Sequence, residues 1–95
     1  MIEALAHAAQ RDVSRETFEK LERYVALLRE ENEHQNLVSR TTLDQVWERH
    51  ILDSAQLVRY ESRPGASWID IGSGAGLPGI VIACLVEGPV TLAEP

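Results

Sequence analysis

The sequence predicts an α/β chain in which N-terminal helices precede one strand–helix–strand unit. Three observations carry that expectation. Every Gly and Pro lies after residue 61, while 8 of the 9 basic and 12 of the 15 acidic residues lie within residues 1–61. The apolar spacing changes from helical to strand-like across that boundary. A Gly-rich turn then separates a β-branched run from an almost wholly apolar one.

The helical part comes first. Ile2, Leu5, Ala6, Ala9 and Val13 form a short, weak apolar stripe. Phe18, Leu21, Val25 and Leu28 form a stronger one, spaced 3-4-3, with Tyr24 and Leu27 widening it. Ser14 is its expected N-cap, and a polar stretch from Glu31 to Gln35 ends it. A link from Asn36 to Thr41 leads to a third helix, expected to begin at Thr42 with the capping box Thr42-Leu43-Asp44-Gln45. Its stripe is Leu43, Val46, Trp47, Ile51, Ser54 and Val58.

The loop Ser62-Arg63-Pro64-Gly65 marks the change of period, so 1–61 reads as an N-terminal helical region and 62–95 as the start of a cofactor domain. Ser67 to Ile71 is β-branched and aromatic, as in a strand. After the turn Gly72 to Gly76, Pro78 suits the first turn of a helix running through Val86. Gly88-Pro89 stops that helix, and Val90 to Glu94 reads as a second strand. The first strand, loop, helix and second strand make one βαβ unit of about 30 residues.

Composition excludes several classes. The 95 residues carry a net charge of −6, which argues against a generic polyanion binder. A hydrophobic share of 44% is ordinary for a globular chain. No apolar run approaches a membrane span, and the start lacks the pattern of a secretory signal. The single cysteine, Cys84, cannot form an internal disulfide, so a reducing, cytoplasmic setting is expected. His7, His34, His50 and Cys84 lack metal-ligand spacing, so no metal is expected.

The turn reads Asp70-x-Gly72-x-Gly74-x-Gly76. A dinucleotide fingerprint would need Gly where Leu77 stands, which speaks against a nicotinamide or flavin oxidoreductase. The evenly spaced form suits the cofactor loop of a Rossmann-like methyltransferase that uses S-adenosyl-L-methionine. Glycines let ligand atoms approach the backbone, and the following helix N-terminus favours a carboxylate. Asp70 can face the cofactor's amino end, and Glu94, closing the second strand, can accept from both ribose hydroxyls.

Three segments together are more specific. Asn36-Leu37-Val38-Ser39, then Arg49-His50-Ile51-Leu52-Asp53-Ser54, then Asp70 through Ile80 with its Leu77-Pro78-Gly79, resemble the signatures of the RsmG family, also called GidB. The resemblance covers about residues 14–95. It implies the first βαβ unit of a Rossmann-like methyltransferase domain, S-adenosyl-L-methionine as methyl donor, and guanine N7 of 16S rRNA in the small ribosomal subunit as acceptor. It also implies that Gly72 and Leu77 bind cofactor and that Glu94 is the acid after the second strand. Family members are about twice as long, so the chain reads as an N-terminal fragment, expected to be inactive alone and monomeric when full-length. No nucleophile is expected, because guanine N7 has a free lone pair.

Substrate or structural use stays open at four positions. His50 sits on a helix between Arg49 and Asp53, which are four apart and so placed for a surface ion pair. Asn36 can orient cofactor or base, although Asn in an interhelical link more often bonds local backbone. Arg40, Arg49, Arg59 and Arg63 are candidates for a small phosphate-facing patch, against the simpler reading of scattered solvated side chains. Cys84 reads as core. A non-catalytic helical interaction module with a vestigial cofactor fold is the alternative to an enzyme.

Overall fold

A computed structural model describes residues 1–35, 38–71 and 76–93. Helix α1 spans Ile2–Ala9 and buries Leu5, Ala8 and Ala9. It ends where Gln10 takes a left-handed conformation (φ 57°), and the Arg59 guanidinium donates to the Ala8 carbonyl at 2.6 Å and to that of His7 at 3.3 Å. Arg59 therefore serves a helix C-terminus, where a cation meets both orphan carbonyls and the dipole, rather than an exposed phosphate-facing patch. Helix α2, Arg15–Asn32, starts as expected: Ser14 Oγ accepts from the Thr17 N–H at 3.1 Å. Leu21, Val25 and Leu28 are buried, but Leu27 is 62% exposed and lies off the stripe.

The third helix departs from expectation. The chain is already helical at Arg40, and α3 is only Arg40–Asp44. Ser39 is its N-cap, accepting from the Thr42 N–H at 3.2 Å, while Thr42 Oγ1 donates back to the Ser39 carbonyl at 3.0 Å. Both hydroxyl residues can cap, and the earlier one wins because Thr42 then sits one turn inside and closes the loop of bonds. The helix breaks at Gln45, then resumes as a π-helical turn at Trp47–Ile51, as α4 at Leu52–Gln56, and as a 3₁₀ turn at Leu57–Tyr60. The expected Arg49–Asp53 ion pair does not form. Arg49 Nε instead donates to Gln45 Oε1, four residues back, at 3.0 Å.

Strand β1, Trp68–Ile71, pairs in parallel with β2, Val90–Ala93, with Asp70 opposite Leu92. Helix α5, Gly79–Leu85, forms the crossover and ends one residue before the expected Val86. This is the expected α/β architecture: helices, then a parallel βαβ unit of Rossmann-like type. Helix α5 covers one face of the two strands, leaving Ile69 69% and Ile71 76% exposed on the other. Val81 of α5 joins Leu5, Leu21, Val25, Val46, Ile51 and Ala55 in one hydrophobic cluster. Phe18 stacks on Trp47 with centroids 5.5 Å apart, which joins α2 to the π turn and adds about 1 kcal/mol beyond burial.

Arg11 ties three chain segments together. Its Nη1 donates to the Leu85 carbonyl at 3.1 Å and its Nη2 to Glu61 Oε1 at 3.0 Å. The Glu61 side chain is only 8% exposed, and its Oε2 has no partner among the described residues. Removing the cation strands a carboxylate away from water. Arg11→Ala is expected to cost about 2–4 kcal/mol in chemical denaturation, and Arg11→Met with Glu61→Leu to cost clearly less. A loss below about 0.5 kcal/mol in Arg11→Ala would show that the pair is not coupled to folding.

Candidate functional site

The site begins where β1 ends. Asp70 is half-buried and shares the α5-facing side of the sheet with Leu92, because paired residues of parallel strands point the same way. Its Oδ2 accepts from the Gly79 N–H at 3.0 Å. A carboxylate of the chain itself thus takes a first-turn N–H of α5, and one oxygen of Asp70 is committed to that bond. The approach is close enough to require glycine: a Cβ on Gly79 would stand 2.8 Å from Asp70 Oδ2 and would collide with the Leu92 side chain.

The loop reaches the helix through Gly76, Leu77 and Pro78. Gly76 has φ +91°, a left-handed conformation that side chains disfavour, and a Cβ there would strike the Ile80 side chain. The Ile80 N–H donates to the Gly76 carbonyl at 2.7 Å. The Leu77–Pro78 peptide is cis, and Pro78 is the N-cap residue of α5 rather than part of its first turn. Gly72, Gly74, Glu94 and Asn36, also expected in the site, lie outside the described residues.

The Arg49-His50-x-x-Asp53-Ser54 segment comes to this loop. Arg49, His50, Asp53 and Ser54 on one side, with Leu77 and Pro78 on the other, line a groove of about 420 Å³. His50 is half-buried, and its Nε2 is buried with no hydrogen-bond partner among the described residues. Arg49 is exposed beside it. Trp47, two residues before the segment, is a packing residue on Phe18. Among the described residues no three His, Cys, Asp or Glu side chains group as metal ligands would, and no helix is long and apolar enough to cross a membrane.

One neighbour of the loop was hidden in the sequence. Tyr24 reads there as part of the apolar stripe, yet its hydroxyl lies 3.6 Å from the place of a Cβ on Gly76. Only the fold brings α2 to the loop, and a helical stripe gives no sign of it. Burial raises the Tyr24 phenol from 10.0 to about 12. Cys84 is half-buried against the core, and burial raises its thiol, with Lys20 opposing. Neither group has the depressed value of a reactive nucleophile.

The Tyr24 shift has a definite sign. The folded chain prefers the neutral phenol, so its contribution to stability is complete below pH 10 and is lost as pH rises through about 12. Tyr24→Phe is therefore expected to weaken the alkaline fall in stability over that interval, read as the difference between the two denaturation midpoints at each pH. Parallel curves would show that Tyr24 is not held neutral by the fold.

The described geometry accords with comparisons of the chain with known proteins. The family model GidB, rRNA small subunit methyltransferase G, matches residues 17–95. A curated ribosomal RNA small subunit methyltransferase G of Zymomonas mobilis is 52% identical over 90 residues, covering 86% of this chain and 41% of that protein. The protein of the same name from Erythrobacter litoralis is 56% identical over 77 residues, covering 80% and 37%. That from Rhodospirillum rubrum is 51% identical over 89 residues, covering 94% and 44%. The chain thus spans about two fifths of the length of these curated relatives. No solved structure is a significant match. By its extended match over all but the first helix, the chain belongs to the rRNA small subunit methyltransferase G family.

Proposed function

We propose that a protein carrying this chain, together with the remaining length its relatives possess, methylates guanine N7 in 16S rRNA with S-adenosyl-L-methionine as donor. The observation that supports this reading is the meeting of the Arg49–Ser54 segment with the Leu77-Pro78 end of the Gly-rich loop in one groove. Family membership supports the reaction class, methyl transfer to small-subunit rRNA.

The residues fit such a donor. Asp70 at the strand end, the left-handed Gly76 and the close approach at Gly79 leave a carboxylate and backbone bare of side chains at the start of α5. Gly72, Gly74, Gly76 and Leu77 hold the methionine end, and Asp70 offers its second oxygen to the amino group. Glu94 takes the ribose hydroxyls. The donor, when bound, supplies a methyl group already activated on a sulfonium. The chain's work is then binding, alignment and exclusion of water, which is catalysis by proximity. Guanine N7 presents a lone pair at neutral pH, so no side chain has to remove a proton.

The protein acts in the cytoplasm as a monomer on the small ribosomal subunit, without a metal. An acidic chain supplies few of the phosphate contacts that RNA affinity needs, so the remaining length and the ribosomal particle provide them.

Two measurements test this. Tritium transfer from labelled S-adenosyl-L-methionine to undermethylated small subunits is expected for the longer protein and absent for residues 1–95 alone. In the longer protein, Gly74→Val puts a branched side chain where the ligand must approach backbone. Donor affinity should fall by about tenfold or more, at least about 1.4 kcal/mol, with helical content unchanged. Unchanged affinity by calorimetry would rule out this placement of the donor.

A further inference from the structure

We propose that Tyr24 is a positioning residue for the methyl donor: from α2 its hydroxyl backs the Gly76 end of the Gly-rich loop and restrains the backbone that the donor's methionine end must meet. This rests on the proposed function and adds a residue of the helical half to the donor site. Four observations lead to it.

First, Gly76 is buried, and the space where its side chain would stand is filled from two elements. Ile80 of α5 fills it from one, and the Tyr24 hydroxyl, 3.6 Å from the place of a Cβ, reaches it from α2. Second, the Gly76 carbonyl accepts from the Ile80 N–H at 2.7 Å, which ties the residue to the first turn of α5. Tyr24 is the contact from the helical half at the same residue. Third, the phenol ring is itself held. It packs half-buried against the cluster that contains Leu21, Val25 and Leu28 of its own helix and Val81 of α5. Leu21 and Leu28 stand three before and four after it on one helix face, so the hydroxyl is delivered from a buried stripe. Fourth, burial pushes the phenol up to about 12, so at neutral pH it is an uncharged hydroxyl able to donate and to accept. An apolar stripe would be served as well by Phe, which lacks only the polar tip that stands at the loop.

Glycine has the widest backbone freedom of any residue, so a Gly-rich loop needs restraint from outside itself. A ligand that needs one loop conformation binds in proportion to the fraction of molecules that hold it. Loss of the Tyr24 hydroxyl lowers that fraction before the donor arrives, and leaves the transfer step unchanged once the donor is bound.

The test is Tyr24→Phe in the longer protein, with two readouts. Without donor, hydrogen exchange of the Ile80 amide reports how often the bond to the Gly76 carbonyl opens. It should quicken by about threefold or more, while the Ile82 amide, bonded to the Pro78 carbonyl in the same helix, keeps its rate. With donor, Kd by calorimetry and KM should both rise by about fivefold, while kcat and the KM for small subunits stay within about twofold. A merely structural role would lower the active fraction, so kcat would fall with the donor KM unchanged. Phe18→Leu, which loosens the stack on Trp47 from the same helix, should lower the denaturation midpoint and leave donor KM in place. Equal exchange at Ile80 in Tyr24→Phe and wild type, an unchanged donor Kd, or an equal rise of donor KM in Phe18→Leu would each overturn the assignment. A silent Tyr24→Phe with methyl transfer intact overturns this inference alone. A wild-type longer protein that transfers no methyl group overturns the proposed function, and exchange at Ile80 still decides whether Tyr24 restrains the loop.

Discussion

The bond from the Gly79 N–H to Asp70 Oδ2 is the constraint on which the rest of the site depends. It joins the end of β1 to the start of α5 across the Gly-rich loop. It also sets the spacing at which Gly79 must lack a side chain, because Leu92 and Asp70 occupy the place of a Cβ. Just before α5, Gly76 is left-handed, and Leu77 and Pro78 follow it. Leu77 and Pro78 line the groove.

The helical half positions the other wall. Its core shares Val81 with α5, so Ile51 of the π turn and the crossover helix pack in one cluster. Arg11 strengthens the tie at the opposite end of α5, where it holds the Leu85 carbonyl and the buried Glu61 together. Arg59 does the same for the end of α1. Two of the nine basic residues are thus spent on internal carbonyls, which leaves a chain of net charge −6 with still fewer cations for RNA. The uncovered sheet face, with Ile69 and Ile71 exposed, accords with a chain that spans about two fifths of its relatives' length. Parallel strands are buried on both faces in complete α/β domains.

Local signals were legible where they act within one turn or one strand. Ser14 caps α2, Gly88-Pro89 ends the crossover, and the β-branched runs pair in parallel, because each depends on chemistry a few residues apart. The third helix misled because Ser39 and Thr42 are both competent caps, and because no sequence pattern announces a π turn. Periodicity at 3.6 residues put Arg49 over Asp53, but the guanidinium turned the other way, to Gln45. Leu27 misled in the other direction: it extends the apolar pattern but lies exposed, off the buried stripe.

Sequence by itself determined the order of elements, the βαβ unit, the loop motif and the family resemblance, since these follow from local spacing and residue type. Only the tertiary structure decided that His50 and Arg49 face Leu77 and Pro78, that Tyr24 lies behind Gly76, and that Asp70 bonds the backbone of α5. Those pairs are 9 to 52 residues apart in the chain. Contacts at such separations are set by how helices and sheet bury their apolar faces together, and no periodicity within one segment encodes that choice.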